Sequence, residues 1–433
     1  MTDDADDLGP GGPAYLAAQR AELLRFAQGA RCERGFGYLD ARGVVDAGRP
    51  VELWITCRMT HVFALGLLAA EPPAPGGPEA RELRQLAEHG IRSLRTSLAD
   101  HDHGGWFAAV DIDGEVDGGR AGVVDDSKQA YGHAFVVLAA SSAAAAGIEG
   151  AGELLGDALA CLVERFWDDE HGLVVDRWDR AWTRLDPYRG VNANMHTVEA
   201  LLAAGDVTGD PVWHERAGRV AARVVAWAQA NEWRIPEHFD EQWRPLLEHH
   251  RDEPAHPFQP YGATVGHGLE WARLLMAVAE SLGDTAPAGL LDGLLDGALD
   301  GALDGAAALA ERAVADGWAV DGADGFVYTT DWQGAPVVRA RMHWVAAEAV
   351  NTAEVLRRVT GDLRWEERRL QWWAYVDRFL VDRERGSWTH ELDEHNRPSG
   401  VTWPGKPDVY HAYQAALLPS LPVTPSFAAA LSA

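Results

Sequence analysis

Short glycine- and aromatic-rich stretches return along this chain at a long, nearly constant interval. They read "GFGYLDARGVV" around Gly37, "GGWFAAVDIDGEV" around Gly105, "HGLVVDRWDRAW" around Gly172, "DGFVYTTDWQGAPV" around Gly325 and "RGSWTHELDEHNRPSG" around Gly386. Each is a brief extended run, a turn of Gly, Asp or Asn, and a second short run, which predicts a small hairpin or loop. Successive glycines stand about 60–70 residues apart, with one double-length interval between Gly172 and Gly325. That interval holds a degenerate sixth copy, "RIPEHFDEQWRPL", near His238. A fixed long period of this kind marks a repeat architecture.

Helical stretches fill the intervals in pairs. Apolar residues in "ELRQLAEHGIRSLRTSL" and "WVAAEAVNTAEVLRRV" recur at three- and four-residue spacing, as on a one-faced helix. Segments such as "GHAFVVLAASSAAAA" are apolar nearly all round, which predicts helices buried on most sides. Twelve helices are expected, at 14–28, 59–70, 80–98, 130–146, 151–166, 192–205, 211–231, 266–282, 298–316, 342–360, 363–381 and 408–418. The pattern predicts an all-α fold, an (α/α)6 toroid of six helical hairpins with the short β-hairpin loops at one end. Residues 14–420 form its single catalytic domain, 1–13 a flexible acidic N-terminus and 421–433 a C-terminal tail. The low-complexity "LLDGLLDGALDGALDGA" at 290–306 reads as a surface expansion, because regular glycine costs about 1 kcal/mol of helix propensity per site.

Charge narrows the partners. The formal net charge is −28, from 38 basic and 66 acidic residues. Such a chain repels phosphate backbones and anionic membrane surfaces. Cys32, Cys57 and Cys161 are too few and too scattered for a disulfide framework or a thiolate metal site. The opening "MTDDADDLGPGGP" lacks the basic and apolar regions of a signal peptide, and no apolar run reaches the roughly 18–20 residues of a membrane span. The expectation is a cytoplasmic protein, monomeric or weakly dimeric, that takes a small-molecule substrate and neither nucleic acid nor membrane.

Four stretches place chemistry at helix starts. "YGATVGHGLEWARLL" puts His267 and Glu270 three residues apart, hence on one helix face. An imidazole oriented by a carboxylate is suited to proton shuttling near neutral pH. "VTWPGKPDVYHAYQAALLP" offers Asp408 as an N-cap and His411 in the following turn. "VNANMHTVEALLA" sets Asn192 and His196 four apart, and "LWITCRMTHVFAL" sets Arg58 and His61 three apart. Arg58 has no acidic neighbour in sequence, so sugar hydroxyls or carbonyl oxygens would suit its donors. Many of the 18 Trp lie in the interhelix loops, where an indole can stack on the apolar face of a sugar. The HExxH spacing of zinc peptidases is absent, and "EHH" at 248–250 sits in a polar loop. No metal and no cofactor are expected.

"RMTH", "NANMH", "GHGLEW" and "WPGKPDVYHAYQA", in that order, resemble the N-acylglucosamine 2-epimerase superfamily over roughly 14–418. Within it they are most similar to the bacterial branch that isomerises mannose, with sulfoquinovose isomerases near. The resemblance implies metal-free interconversion of D-mannose and D-fructose through a cis-enediol. It implies His267 and His411 as the acid/base pair and Glu270 as the carboxylate supporting His267. It implies Arg58, Asn192, His196, Tyr131 and Trp54 as sugar-binding positions. Sequence does not assign the carbon-to-carbon transfer to one histidine; His411 is taken for C1–C2, with His267 and Glu270 opening the ring. The alternatives are a 2-epimerase of the mannose/glucose or N-acylglucosamine type, and a sulfoquinovose isomerase, for which this chain offers no clear basic cluster. An inverting glycosidase would need two carboxylates about 6.5–9.5 Å apart, with Asp125, Asp126, Glu237 and Asp331 as candidates.

Overall fold

A computed structural model describes residues 7–112, 122–283 and 298–433. Among them are thirteen α-helices. They are α1 (Pro13–Ala27), α2 (Leu53–Leu68), α3 (Ala80–Arg95), α4 (Ala130–Ala145), α5 (Ala151–Cys161), α6 (Val191–Thr208), α7 (Val212–Ala230), α8 (Val265–Leu282), α9 (Ala298–Gly317), α10 (His343–Thr360), α11 (Leu363–Tyr375), α12 (Tyr410–Leu417) and α13 (Phe427–Ser432). α5 and α11 each end in a five-residue π-helical turn, Leu162–Phe166 and Val376–Leu380. None of the described helices is long and apolar enough to cross a membrane. The parts of the expected 1–13 terminus and 290–306 repeat at 1–6 and 290–297 lie outside the described residues, and 298–306 is helical.

The helices alternate in character as their sequences require. In α2, α4, α6, α8 and α10 almost every residue is buried. α3, α5, α7 and α11 bury a stripe and expose the rest. Contacts group the chain into two compact units, and the division falls inside α1, α7 and α12. One comprises Ala21–Arg216, Lys406–Tyr410 and Pro425–Ala433. In it α2 packs on α4 and α4 on α6, while α3 covers α2 and α5 covers α4. The other comprises Met1–Arg20, Ala217–Gly405 and His411–Thr424. There α8 packs on α10, with α9 against α8 and α11 against α10.

Five of the six repeated loops are turns pinned by aspartate. Asp40, Asp240, Asp331 and Asp393 each accept, through Oδ1, the backbone N–H groups two and four residues on. Asp179 does the same four and five residues on. The flanking residues then pair across the turn, as Leu39 with Val45, Phe239 with Pro245 and Leu392 with Pro398. An aspartate that satisfies a turn's own N–H groups fixes the turn without help from elsewhere. The copy around His238, degenerate in sequence, is therefore a complete hairpin. Beyond the hairpins, two-residue strands run straight into α2, α4, α6, α8 and α10. α6 and α10 stop at Gly209 and Gly361, which take the left-handed conformation that only glycine adopts without strain.

Two expectations are corrected. α2 begins at Leu53, not at 59, so Arg58 is its sixth residue and not near a helix start. The bulky and β-branched "LWIT" favours extended backbone, but burial on all sides overrides that preference. The expected C-terminal tail contains α13, which packs against α2, α4 and α6 with Ala428 buried. The Ser426 N–H ahead of it donates to Asp206 at 2.6 Å.

A buried neutral histidine ties the start of α4 to the loop at Trp106. His133 donates from Nδ1 to the Gln129 carbonyl at 2.7 Å and accepts the Trp106 N–H on Nε2 at 3.2 Å. Burial, with Lys128 nearby, pushes its pKa down to about 3. An imidazolium would set N–H against N–H at Trp106. Between about pH 6.5 and 3 the unfolded chain binds a proton here that the folded chain does not, so stability falls as pH falls. His133→Gln should remove a dependence of about 1.4 kcal/mol per pH unit. Urea unfolding at pH 7, 6 and 5 checks this; a wild-type-minus-variant difference that does not change with pH would contradict it.

Candidate active site

The five helices entered from two-residue strands share a register. The second, sixth and ninth residues of such a helix lie on one face. They are Trp54, Arg58 and His61 in α2, and Tyr131, Phe135 and Leu138 in α4. In α6 they are Asn192, His196 and Glu199. In α8 they are Gly266, Glu270 and Arg273, and in α10 Trp344, Glu348 and Asn351. On that stripe Trp54, Arg58, His61, Phe135, His196, Glu199, Glu270, Arg273, Glu348 and Asn351 are buried, and Tyr131, Asn192 and Trp344 are half-buried.

In the unit containing α8 and α10, the two expected histidines converge on one indole. The His267 ring lies 5.3 Å from the Trp344 ring, and the His411 ring 5.8 Å from it, at interplanar angles of 39° and 36°. Both histidines are buried. His267, in the first turn of α8, donates from Nδ1 to Glu237 Oε2 at 2.9 Å. His411, second residue of α12, donates from Nδ1 to Glu348 Oε1 at 3.1 Å. A carboxylate on Nδ1 fixes the neutral ring's tautomer and leaves the lone pair on Nε2. Each histidine is thus prepared as a base through Nε2, and as an acid once protonated.

The expected pairing of Glu270 with His267 is corrected here. Glu270 stands in the second turn of α8, and the carboxylate hydrogen-bonded to His267 belongs to Glu237, in the hairpin around His238. Glu270 instead joins the other dyad: donor atoms of Glu270, Glu348 and His411 all lie within 4.8 Å of one another. Arg273 balances this cluster, with Nε 3.0 Å from Glu348 Oε2 and Nη2 3.7 Å from Glu270 Oε1. Beside His411, His343 and His390 stack at 3.6 Å.

The other unit gathers most of the expected sugar-binding positions. Arg58 donates from Nη2 to the Tyr131 hydroxyl at 3.0 Å and pairs through Nη1 with Asp408 Oδ2 at 3.3 Å. Its guanidinium lies over the rings of Trp54, Phe135 and Tyr410, at 5.0, 4.6 and 4.7 Å. Arg58 therefore does have an acid, supplied from 350 residues away. Burial works against its charge, but Tyr131, Asp408 and Tyr410 outweigh burial and hold it firmly cationic. Asp408 also accepts the Tyr410 N–H on Oδ1 at 2.8 Å, which is the capping role expected of it. Trp54 donates to Glu52, whose pKa burial raises. His196 lies edge-on to Tyr131 at 5.3 Å and against Phe135 at 4.6 Å, with Glu199 3.7 Å from its Nδ1. Glu199 accepts the Tyr410 hydroxyl. Asn192 is half-buried one turn before His196; the structural amide of this helix is Asn194, which bonds Val174 and Gly190.

The carboxylates proposed for a glycosidase are occupied differently. Glu237 holds His267, Asp331 pins a hairpin, and Asp125 Oδ1 accepts the Ser127 N–H. In the "EHH" loop, His249 and His250 donate to the side chain and the carbonyl of Gln259. Sequence reasoning passed over Glu348, Arg273 and Glu199, and it assigned Glu237 elsewhere. The first three were detectable by superposing the helix starts, since Glu348 holds the register of Glu270, and Arg273 and Glu199 that of His61. The Glu237 contact with His267 crosses 30 residues without any periodic cue.

Known proteins resemble this chain along nearly its whole length. Residues 35–415 match the N-acylglucosamine 2-epimerase (GlcNAc 2-epimerase) family model. The chain is 48% identical to a D-mannose isomerase of Thermobifida fusca over 422 residues, 97% of each chain. It is 43% identical to a D-mannose isomerase of Pseudomonas cannabina pv. alisalensis, over 96% of this chain and 95% of that one. A crystal structure of a D-mannose isomerase superposes with a TM-score of 0.81 at 26% identity, covering 93% of this chain and 96% of that one. The cellobiose 2-epimerase of Spirochaeta thermophila DSM 6192 shares the fold, with a TM-score of 0.75 at 22% identity over 94% and 95%.

The Arg58–Asp408 pair yields a stability test. Asp408→Asn keeps a capping oxygen but strands a buried guanidinium, which should cost about 3–5 kcal/mol. Urea unfolding at neutral pH measures it; a loss below about 1 kcal/mol would mean that the Tyr131 hydroxyl and the aromatic rings suffice to hold Arg58.

Proposed function

Because the chain belongs to the N-acylglucosamine 2-epimerase family, we propose that it is an aldose–ketose isomerase interconverting D-mannose and D-fructose, as its relatives' names imply. One observation carries the reading. Two buried imidazoles, each with a glutamate on Nδ1, flank the same indole. This arrangement offers two independent proton-transfer groups.

The chemistry divides between them. The pyranose must open, which takes a proton from the anomeric hydroxyl and delivers one to the ring oxygen. We assign this to His267, held by Glu237. In the open aldose, Nε2 of His411 removes the proton from C2, and the electron pair forms the C1–C2 double bond of a cis-enediol as the C1 oxygen gains a proton. The imidazolium returns its proton to C1 while the C2 hydroxyl loses its own, leaving the 2-ketose. Substrate and product are isomers, so no oxidant or reductant enters. General acid/base help of this kind contributes typically 10²–10⁴-fold per group. Arg58, Asn192, His196, Tyr131 and Trp54 are proposed to bind the sugar, and Glu270 to belong to the His411 cluster. The alternation of fully buried and one-faced helices supports reading residues 14–420 as one (α/α)6 catalytic domain of six helical hairpins. We further propose a cytoplasmic protein, monomeric or weakly dimeric.

The test is direct. Chelator-treated protein incubated with D-mannose should form D-fructose, and in D₂O some deuterium should enter C1 of the ketose. Glucose bearing deuterium at C2, without ketose, would replace this reading with 2-epimerisation; turnover of sulfoquinovose but not mannose would replace the substrate. His267→Ala and His411→Ala should each lower kcat by at least about 100-fold with an unchanged melting temperature. Near wild-type turnover in either variant would remove that histidine from the mechanism.

A further inference from the structure

Glu348 has two buried oxygens with separate duties. Oε1 accepts from His411 Nδ1 at 3.1 Å, and Oε2 accepts from Arg273 Nε at 3.0 Å. Glu270, also buried, has Oε1 3.7 Å from Arg273 Nη2. One guanidinium therefore serves two carboxylates, and one of those holds the histidine assigned to carbon chemistry. We propose that Arg273 is a positioning residue that holds the Glu348 carboxylate against His411 and sets the proton affinity of His411. This inference rests on the isomerase reading above.

The charge count gives the reason. Two carboxylates this close, both out of water, repel each other and attract a proton on a neighbouring group. Arg273 supplies a fixed positive charge that no pH in the working range removes. With it, the trio carries one net negative charge, which a single proton on His411 neutralises. Without it, the two carboxylates alone carry two, and a proton on His411 is held more tightly. Glu348 and His343 face His411 from α10, Glu270 and Arg273 face it from α8, and His390 stacks behind His343. Arg273 also limits rotation of the Glu348 carboxylate, since swinging Oε1 away from His411 would break the bond at Oε2. A lysine there is a point charge and cannot span both carboxylates in the same geometry.

Arg273→Met and Arg273→Lys test this against D-mannose. Arg273→Met should lower kcat at least about tenfold with little change in KM. It should move the acidic limb of kcat/KM upward by about one pH unit or more. Arg273→Lys should restore most of the limb and part of kcat. A merely structural arginine would lower the folded fraction and leave the limb where it was. Histidine ¹⁵N NMR titration of His411, assigned through His411→Asn, follows the same shift without turnover. An upward NMR shift in a protein that does not convert mannose would retain Arg273's role and overturn the isomerase reading. Mannose conversion with an unmoved limb and an unmoved His411 titration would do the reverse. Should Arg273→Met not fold, Arg273→Gln takes its place: wild-type kcat with an unshifted His411 titration refutes the proposal, and a lowered kcat with an upward shift supports it.

Discussion

Carboxylates that grip histidine Nδ1 atoms are the interaction on which this site depends. An imidazole unsupported in a dry environment turns freely and can offer either nitrogen. Glu237 and Glu348 remove that freedom from His267 and His411. The rings are then held against Trp344, which is itself packed edge-on by Tyr328 at 6.0 Å. Burying carboxylates carries a desolvation penalty, and the local structure offsets it. Glu348 has Arg273 on its second oxygen. On the mannose–fructose reading, the same arrangement explains how two histidines could divide ring opening and carbon transfer, since each has its own carboxylate.

The scaffold achieves this by repetition with variation. A two-residue strand fixes the direction in which each buried helix begins, and so its second, sixth and ninth positions recur on one face. At the sixth position the chain places Arg58, Phe135, His196, Glu270 and Glu348 in turn. The backbone device is the same; the chemistry changes with the side chain. The hairpins preceding some of these helices satisfy their own N–H groups through aspartate, so these loops hold shape without borrowing bonds from the helices. Part of the acidic excess of the composition is thus used internally, at Asp40, Asp179, Asp240, Asp331 and Asp393.

Most of the helices were legible because burial leaves a composition signature: all-round apolar sequence for α4, striped sequence for α3. The start of α2 was misread because β-branched residues carry a local preference that packing reversed. The histidines were legible as polar intrusions at helix starts. Their partners were less so. Glu270 looked like the support of His267 because spacing of three suggests a shared face, yet a face shared along a helix is not a hydrogen bond, and a loop residue reached His267 instead.

By itself, the sequence determined the repeat, the alternation of buried and one-faced helices, and which side chains could carry protons, because periodicity and composition are local properties of the chain. Only the tertiary structure decided which carboxylate meets which histidine, that Arg58 finds Asp408, and that one arginine serves two glutamates. The contacts of His267 with Glu237, of Arg273 with Glu348 and of Arg58 with Asp408 join residues 30, 75 and 350 positions apart, and no local pattern encodes a distance of that kind.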